Sequence, residues 1–112
     1  MAATDELDDD VVARFVREKL DLIKREYSPT HLIVFGSRAK GTAHRDSDVD
    51  IVVVSERFRE IRHPNRMGQF LNTVRPDQIV EAICYTPEEF QEMLDKRWPF
   101  VEHVVAEGVR VV

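Results

Sequence analysis

Hydrophobic and polar positions follow two different periods along the chain, and these periods predict helices and strands in a definite order. Apolar side chains recur at helical spacing from Val12 to Tyr27, which predicts an amphipathic first helix of about 18 residues. Short, branched apolar runs predict buried strands. These runs cover residues 31–35, 49–54 and 78–85. Further helices are predicted at residues 64–74, from residue 87 to the Trp98–Pro99 break, and at 100–106.

Local signals mark several ends of these elements. The segment from Thr86 to Glu89 reads TPEE, which predicts a helix start with a capping box and a proline in its first turn. Gly108 is expected to adopt a left-handed cap, and the tail VRVV to form an edge strand. The acidic run at residues 5–10 complements the positive end of the first helix, and residues 1–7 are expected to be flexible.

The order of these elements predicts one domain, residues 1–112, of the α/β (α+β) class. Its architecture is a small β-sheet covered by helices. The chain is 43% hydrophobic and 33% charged, which suits a single core of modest size. The pattern shows neither repeats nor linkers, so we expect no second domain.

Composition limits the partners that the protein is expected to bind and the compartment in which it is expected to occur. The formal net charge is −5, which argues against broad electrostatic binding to nucleic acid or to anionic lipid. Cys84 is the single cysteine, so an internal disulfide is excluded and a reducing compartment is favoured. The apolar runs are too short to span a bilayer. We therefore expect a soluble, cytoplasmic protein.

A glycine and a serine follow the first predicted strand directly. The residues after Ser37 are expected to form a short helix, whose free backbone N–H groups would point toward one place. Gly36 lets the backbone approach a ligand closely, and Ser37 offers a hydroxyl donor. Arg38 and Lys40 would neutralise further negative charge. The sequence therefore predicts a phosphate-binding turn.

Two aspartates open the second predicted strand. Asp48 and Asp50 are two residues apart, so their side chains leave the same face of the strand. At about 4 Å, two such charges repel each other by roughly 4 kcal/mol in an effective dielectric near 20. A divalent cation removes this repulsion, and oxygen ligands favour magnesium. The alternative is that both acids simply begin a strand after a polar turn.

These residues together resemble a known family. Gly36–Ser37, then ten residues, then Asp48–Val49–Asp50 lie within GSRAKGTAHRDSDVDIVV. The segment resembles the signature of the minimal nucleotidyltransferases of the DNA polymerase β superfamily, as found in the antitoxins of HEPN-containing toxin–antitoxin modules. The resemblance implies a mixed sheet and transfer of a nucleoside monophosphate, AMP from ATP in the leading interpretation, to a hydroxyl group.

The resemblance also implies roles for particular residues. Gly36 and Ser37 would hold the triphosphate, while Asp48 and Asp50 would bind two Mg2+ ions. A third acid on a neighbouring strand completes the set in this family, and Glu81 occupies its place where the family usually has Asp. Two interpretations stay open: an active enzyme fitted to Glu, and a catalytically weak or inactive nucleotide-binding antitoxin or assembly subunit.

For partners, the resemblance implies an NTP and a helical HEPN-type protein, an RNase toxin that the enzyme would silence by adding AMP. A second alternative is transfer to a small cationic molecule resembling an aminoglycoside. We expect neither a membrane partner nor direct binding to nucleic acid. The sequence leaves the oligomeric state open, including a homo-oligomer.

Overall fold

The computed structural model describes residues 9–112, so the flexibility expected for residues 1–7 and most of the acidic run lie outside it. Five α-helices and four strands are present in this part of the chain. They are α1 (Asp10–Tyr27), β1 (His31–Phe35), α2 (Ser37–Lys40), β2 (Val49–Val54), α3 (His63–Val74), β3 (Val80–Tyr85), α4 (Pro87–Asp95), α5 (Pro99–Glu107) and β4 (Val109–Arg110). A short 3-10 turn, Glu56–Phe58, follows β2.

The strands form one mixed sheet in the order β3-β2-β1-β4. β1 pairs antiparallel with both β2 and β4, whereas β2 and β3 run parallel. This arrangement confirms the α/β class and the mixed sheet. It also places the first residues of β2 and β3 at the same end of the sheet, because parallel strands run in the same direction.

Helices cover both faces of the sheet. On one face, α1 and α3 pack against the strands through Phe15, Ile23 and Phe70. On the other face, Phe90 and Met93 of α4 and two valines of α5 cover Ile33, Val52 and Val54. The alternation of buried side chains along β2 therefore sends Asp50 to the α4/α5 face. Among residues 9–112, no helix is long and apolar enough to cross a membrane.

Several predicted ends of elements are confirmed. The acidic run was expected to complement the start of α1, and its Asp9 caps this helix by accepting a hydrogen bond from the N–H of Val12 at 2.9 Å. Both halves of the Thr86–Glu89 capping box are formed. The tail supplies β4, which lies at the edge of the sheet beside β1.

Two predictions of local structure are wrong. The third strand begins at Val80 rather than at residue 78, because Val80 is the first residue in register with β2. Gly108 has φ −76° and ψ 166°, which is extended backbone rather than a left-handed cap. A side chain there would lie 2.5 Å from both Ile33 Cγ2 and the carbonyl oxygen of Val104, so close packing, not backbone twist, requires the glycine.

Candidate active site

The turn after β1 places backbone directly against an acid of the next strand. Gly36 has φ +77° and ψ −159°, a conformation that is essentially restricted to glycine. A Cβ on Gly36 would also collide with Oδ2 of Asp50. The glycine therefore serves two purposes: it turns the chain into α2 and it leaves room for the Asp50 carboxylate.

The short helix α2 follows this turn. Ser37 is its first residue and is partly buried, whereas Lys40 is its last and is exposed. The carbonyl oxygen of Gly36 accepts hydrogen bonds from the N–H groups of Ala39 and Lys40, at 3.1 and 3.2 Å. Gly41 then ends the helix in the left-handed conformation, with φ +77°. The expected short helix after Ser37 is thus confirmed.

The structure brings Asp48, Asp50 and Glu81 together. Asp50 is the register partner of Glu81 across the parallel strands β2 and β3, and Asp48 lies immediately before β2. Each residue offers a carboxylate oxygen, and these oxygens all lie within 4.8 Å of one another. Asp48 and Glu81 are exposed and Asp50 is partly buried. We call these three residues the acidic triad.

The electrostatics of the acidic triad are unfavourable without a cation. Burial raises the pKa of the Asp50 carboxyl above its usual range, and the negative charges of Glu81 and Asp48 raise this pKa further. Three hard oxygen donors that face one another are the ligands that Mg2+ accepts in proteins, usually together with substrate phosphates. The residues present therefore fit a magnesium site, and a bound Mg2+ would supply positive charge opposite a triphosphate.

Glu81 belongs to this cluster although its side chain is one methylene longer than that of Asp. It lies on the edge strand β3, whose exposure alternates along the strand, and its side chain is exposed. An exposed position lets the longer side chain bend toward Asp50 without burying a charge. The geometry therefore accommodates Glu at this place.

An aromatic pair adjoins the acidic triad on the same face of the sheet. Phe35 is the register partner of Asp50 on β1, so Phe35, Asp50 and Glu81 form a row across three strands. The ring of Phe35 makes an edge-on contact with Phe100 of α5, at 5.4 Å between centroids. Sequence analysis did not single out this pair, because strand register determines its position.

The guanidinium group of Arg38, which was expected to neutralise phosphate, is engaged by other groups of the protein. Arg38 is buried, and its side chain donates to the carbonyl oxygens of His44, Arg45 and Ser47 and to the carboxylate of Asp9. The guanidinium group is therefore engaged inside the loop between α2 and β2. The sequence signal for this position was ambiguous, since an arginine after Gly–Ser suits a phosphate as well as a carbonyl-rich loop.

Comparisons with known proteins agree with this geometry. A family model described as "Nucleotidyltransferase domain" matches residues 16–109, and the chain therefore belongs to this family. Its fold is similar to the crystal structure of a candidate nucleotidyltransferase from Sulfolobus solfataricus, with a TM-score of 0.55 and 23% sequence identity over 74% of this chain and 77% of the other. No curated protein matches the chain significantly.

Proposed function

We propose that the protein is a magnesium-dependent nucleotidyltransferase that moves AMP from ATP to a hydroxyl group of a partner protein. The observation that carries this proposal is the acidic triad, whose three carboxylates converge beside the Gly36 turn. Membership of the nucleotidyltransferase domain family supports the reaction class.

The chemistry requires little covalent help from the protein. The acceptor oxygen bonds to the α-phosphorus while the bond from that phosphorus to the bridging oxygen breaks, and pyrophosphate leaves. The proton of the acceptor hydroxyl passes to a carboxylate of the acidic triad, and we assign this role to Glu81 because its exposed side chain reaches solvent and Asp50 alike. Catalysis then depends mainly on alignment and on charge stabilisation.

Gly36 and Ser37 hold the triphosphate in this proposal. Ser37 begins α2, where backbone N–H groups have no preceding helical turn to accept them. Lys40 is exposed at the end of the same helix and is able to approach the phosphates as a point charge. Arg38 has no such role here, because its donors face the loop.

A protein acceptor is favoured over a small cationic molecule by the surface beside the acidic triad. Phe100 is 36% exposed and contacts Phe35, which is next to Asp50 in the row across the sheet. Exposed aromatic side chains of this kind are typical of protein interfaces. We propose a helical HEPN-type RNase as the partner and an antitoxin role for this protein.

The proposal is tested by incubating the protein with ATP labelled at the α-phosphate and Mg2+, alone and after coexpression with a candidate HEPN-type protein. We expect label on the partner and none on the protein alone. Asp48→Asn should abolish labelling because it removes a metal ligand. Asp46→Asn, which changes an exposed acid of the same loop outside the acidic triad, should leave labelling intact.

Other results would refute parts of the proposal. Tight binding of the partner with no label on any acceptor would favour an inactive nucleotide-binding subunit. Label on a small cationic acceptor such as an aminoglycoside, in place of the partner, would contradict the antitoxin role while preserving the reaction class.

A further inference from the structure

Arg38 is a buried cation that holds the segment preceding Asp48. Its Nε donates to the carbonyl oxygen of Ser47 at 2.8 Å. Its Nη2 donates to the carbonyl oxygens of His44 and Arg45, at 3.3 and 3.2 Å. One planar guanidinium group therefore binds three backbone carbonyls within the four residues that come directly before Asp48.

The other side of the guanidinium is held by the first helix. Nη1 of Arg38 lies 3.0 Å from Oδ2 and 3.3 Å from Oδ1 of Asp9. Both side chains of this ion pair are shielded, with 6% and 14% exposure. Asp9 is itself held in place, since its Oδ1 caps α1 at the N–H of Val12. Asp9 and Arg38 therefore link the start of α1 to the loop.

Few other contacts restrain this loop. Residues 41–46 are mostly exposed. Besides the contacts of Arg38, the described hydrogen bonds of the loop run from the N–H of Thr42 to the carbonyl oxygen of Ser37, at 3.0 Å, and between His44 and Ser47, at 2.9 and 3.0 Å. After Asp48, the N–H of Val49 donates to the carbonyl oxygen of Ile79, the residue directly before β3, at 2.9 Å. Asp48 therefore lies between a loop held by Arg38 and the beginning of the sheet.

We propose that Arg38 is a positioning residue, which orients the backbone at residues 44–47 so that Asp48 faces Asp50 and Glu81. This inference rests on the proposed function, in which Asp48 binds metal. Only arginine suits the task, because a guanidinium group donates in several fixed directions whereas a lysine ammonium acts as a single point. Loss of a group that orients a metal ligand typically weakens metal binding about 10- to 100-fold.

The test uses Mn2+ as the probe and measures its binding by electron paramagnetic resonance, in the presence of a non-hydrolysable ATP analogue. We expect Arg38→Lys to weaken Mn2+ binding about 10- to 100-fold. Arg57→Lys is the matched control, since Arg57 also donates to a backbone carbonyl, that of Glu26 at 2.8 Å, but does so on the exposed surface. The control should bind Mn2+ as the unmodified protein does.

A second variant covers the case in which Arg38→Lys does not fold. The double variant Asp9→Asn with Arg38→Gln removes both buried charges, so neither is left unpaired, and asparagine still caps α1. We expect it to fold and to show the same weakening. A folded double variant with unchanged Mn2+ affinity would overturn the proposal.

Amide hydrogen exchange tests the positioning role of Arg38 independently of the proposed function. We expect the amides of residues 44–48 to exchange at least about tenfold faster in the double variant than in the unmodified protein, with Arg57→Lys unchanged. If the unmodified protein binds no Mn2+, the proposed function fails, but faster exchange still supports positioning of the loop by Arg38. Unchanged exchange at residues 44–48 would refute the positioning role whatever the metal result.

Discussion

The ability of the site to bind metal depends on individual side chains, and Glu81 is the clearest case. The family usually has Asp at this place, yet the structure brings the Glu carboxylate into the acidic triad with all ligand oxygens within 4.8 Å. Glu81 lies on the edge strand β3, and its side chain is exposed. The geometry thus accommodates Glu in the acidic triad.

Glu81→Asp should therefore reduce nucleotidyl transfer rather than increase it. The shorter side chain would withdraw the carboxylate by about 1 Å or more, and a misplacement of that size costs on the order of 100-fold in rate. Transfer of labelled AMP under saturating ATP and Mg2+ measures the effect. Glu60→Asp, an exposed substitution outside the site, is the control, and a rate gain in Glu81→Asp would show that the site is compromised by Glu.

The packing of α3 against α4 and the end of β3 depends on another buried arginine. Arg66 of α3 donates to the carbonyl oxygen of Ile61 at 2.8 Å and to Glu89 of α4 at 2.6 Å. It also reaches the carbonyl oxygen of Cys84 on β3, at 3.3 Å. Because Glu89 completes the capping box of α4, one ion pair joins two helices and the end of a strand.

Because of this ion pair, part of the free energy of unfolding should depend on pH. Burial raises the pKa of Glu89, but hydrogen bonds from Arg66 and from the N–H of Thr86 outweigh it and hold the pKa below its usual range. A lowered pKa contributes stability above the range where an unfolded Glu titrates, near pH 4.3, and this contribution is lost as the pH falls through the lower value in the folded protein.

Glu89→Gln should lower the free energy of unfolding by about 1 kcal/mol at pH 7, a small value because the Glu89 carboxylate is partly exposed and screened by solvent. The difference from the unmodified protein should shrink below about pH 4. Urea unfolding at pH 7 and at pH 3.5 measures it. Glu88→Gln alters the surface pair with Arg59 and should change stability by less than 0.5 kcal/mol or so at either pH; an equal effect of both variants would contradict the role of Arg66.

For the molecule as a whole, ligand binding and folding are linked through the acidic triad. Mg2+ and ATP together should raise the melting temperature, since a ligand at 100 times its dissociation constant stabilises by about 2.7 kcal/mol. For a domain of this size we expect a shift of roughly 8–12 °C. Thermal unfolding with ATP alone, with Mg2+ alone and with both measures the linkage.

Asp50→Asn should remove this shift while leaving the protein without ligands at least as stable as before. The substitution removes a charge whose burial, together with repulsion from Glu81 and Asp48, raises the pKa of Asp50. Asp46→Asn, in the neighbouring loop, should retain the shift. If Asp50→Asn instead unfolds the domain, then this acid is structural rather than a metal ligand.

Much of the fold was predictable because its signals are local. The capping box at Thr86, the proline in the first turn of α4 and the glycine turn at Gly36 each depend on residues that are close in the chain. The expectation for Gly108 failed because the restriction comes from Ile33, which lies far away in the sequence. The same distance explains why the Phe35–Phe100 contact was not foreseen.

The amino-acid sequence alone was enough to establish the order of helices and strands and the Gly36–Ser37 turn with its two following aspartates, since periodicity and turn chemistry act over a few residues. The pairing of Asp50 with Glu81, 31 positions further on, depends on the register of two parallel strands, which burial of their opposite faces on α1 and α3 selects. The folded chain likewise directed Arg38 into its own loop, because only there does one guanidinium meet three carbonyls and the Asp9 carboxylate.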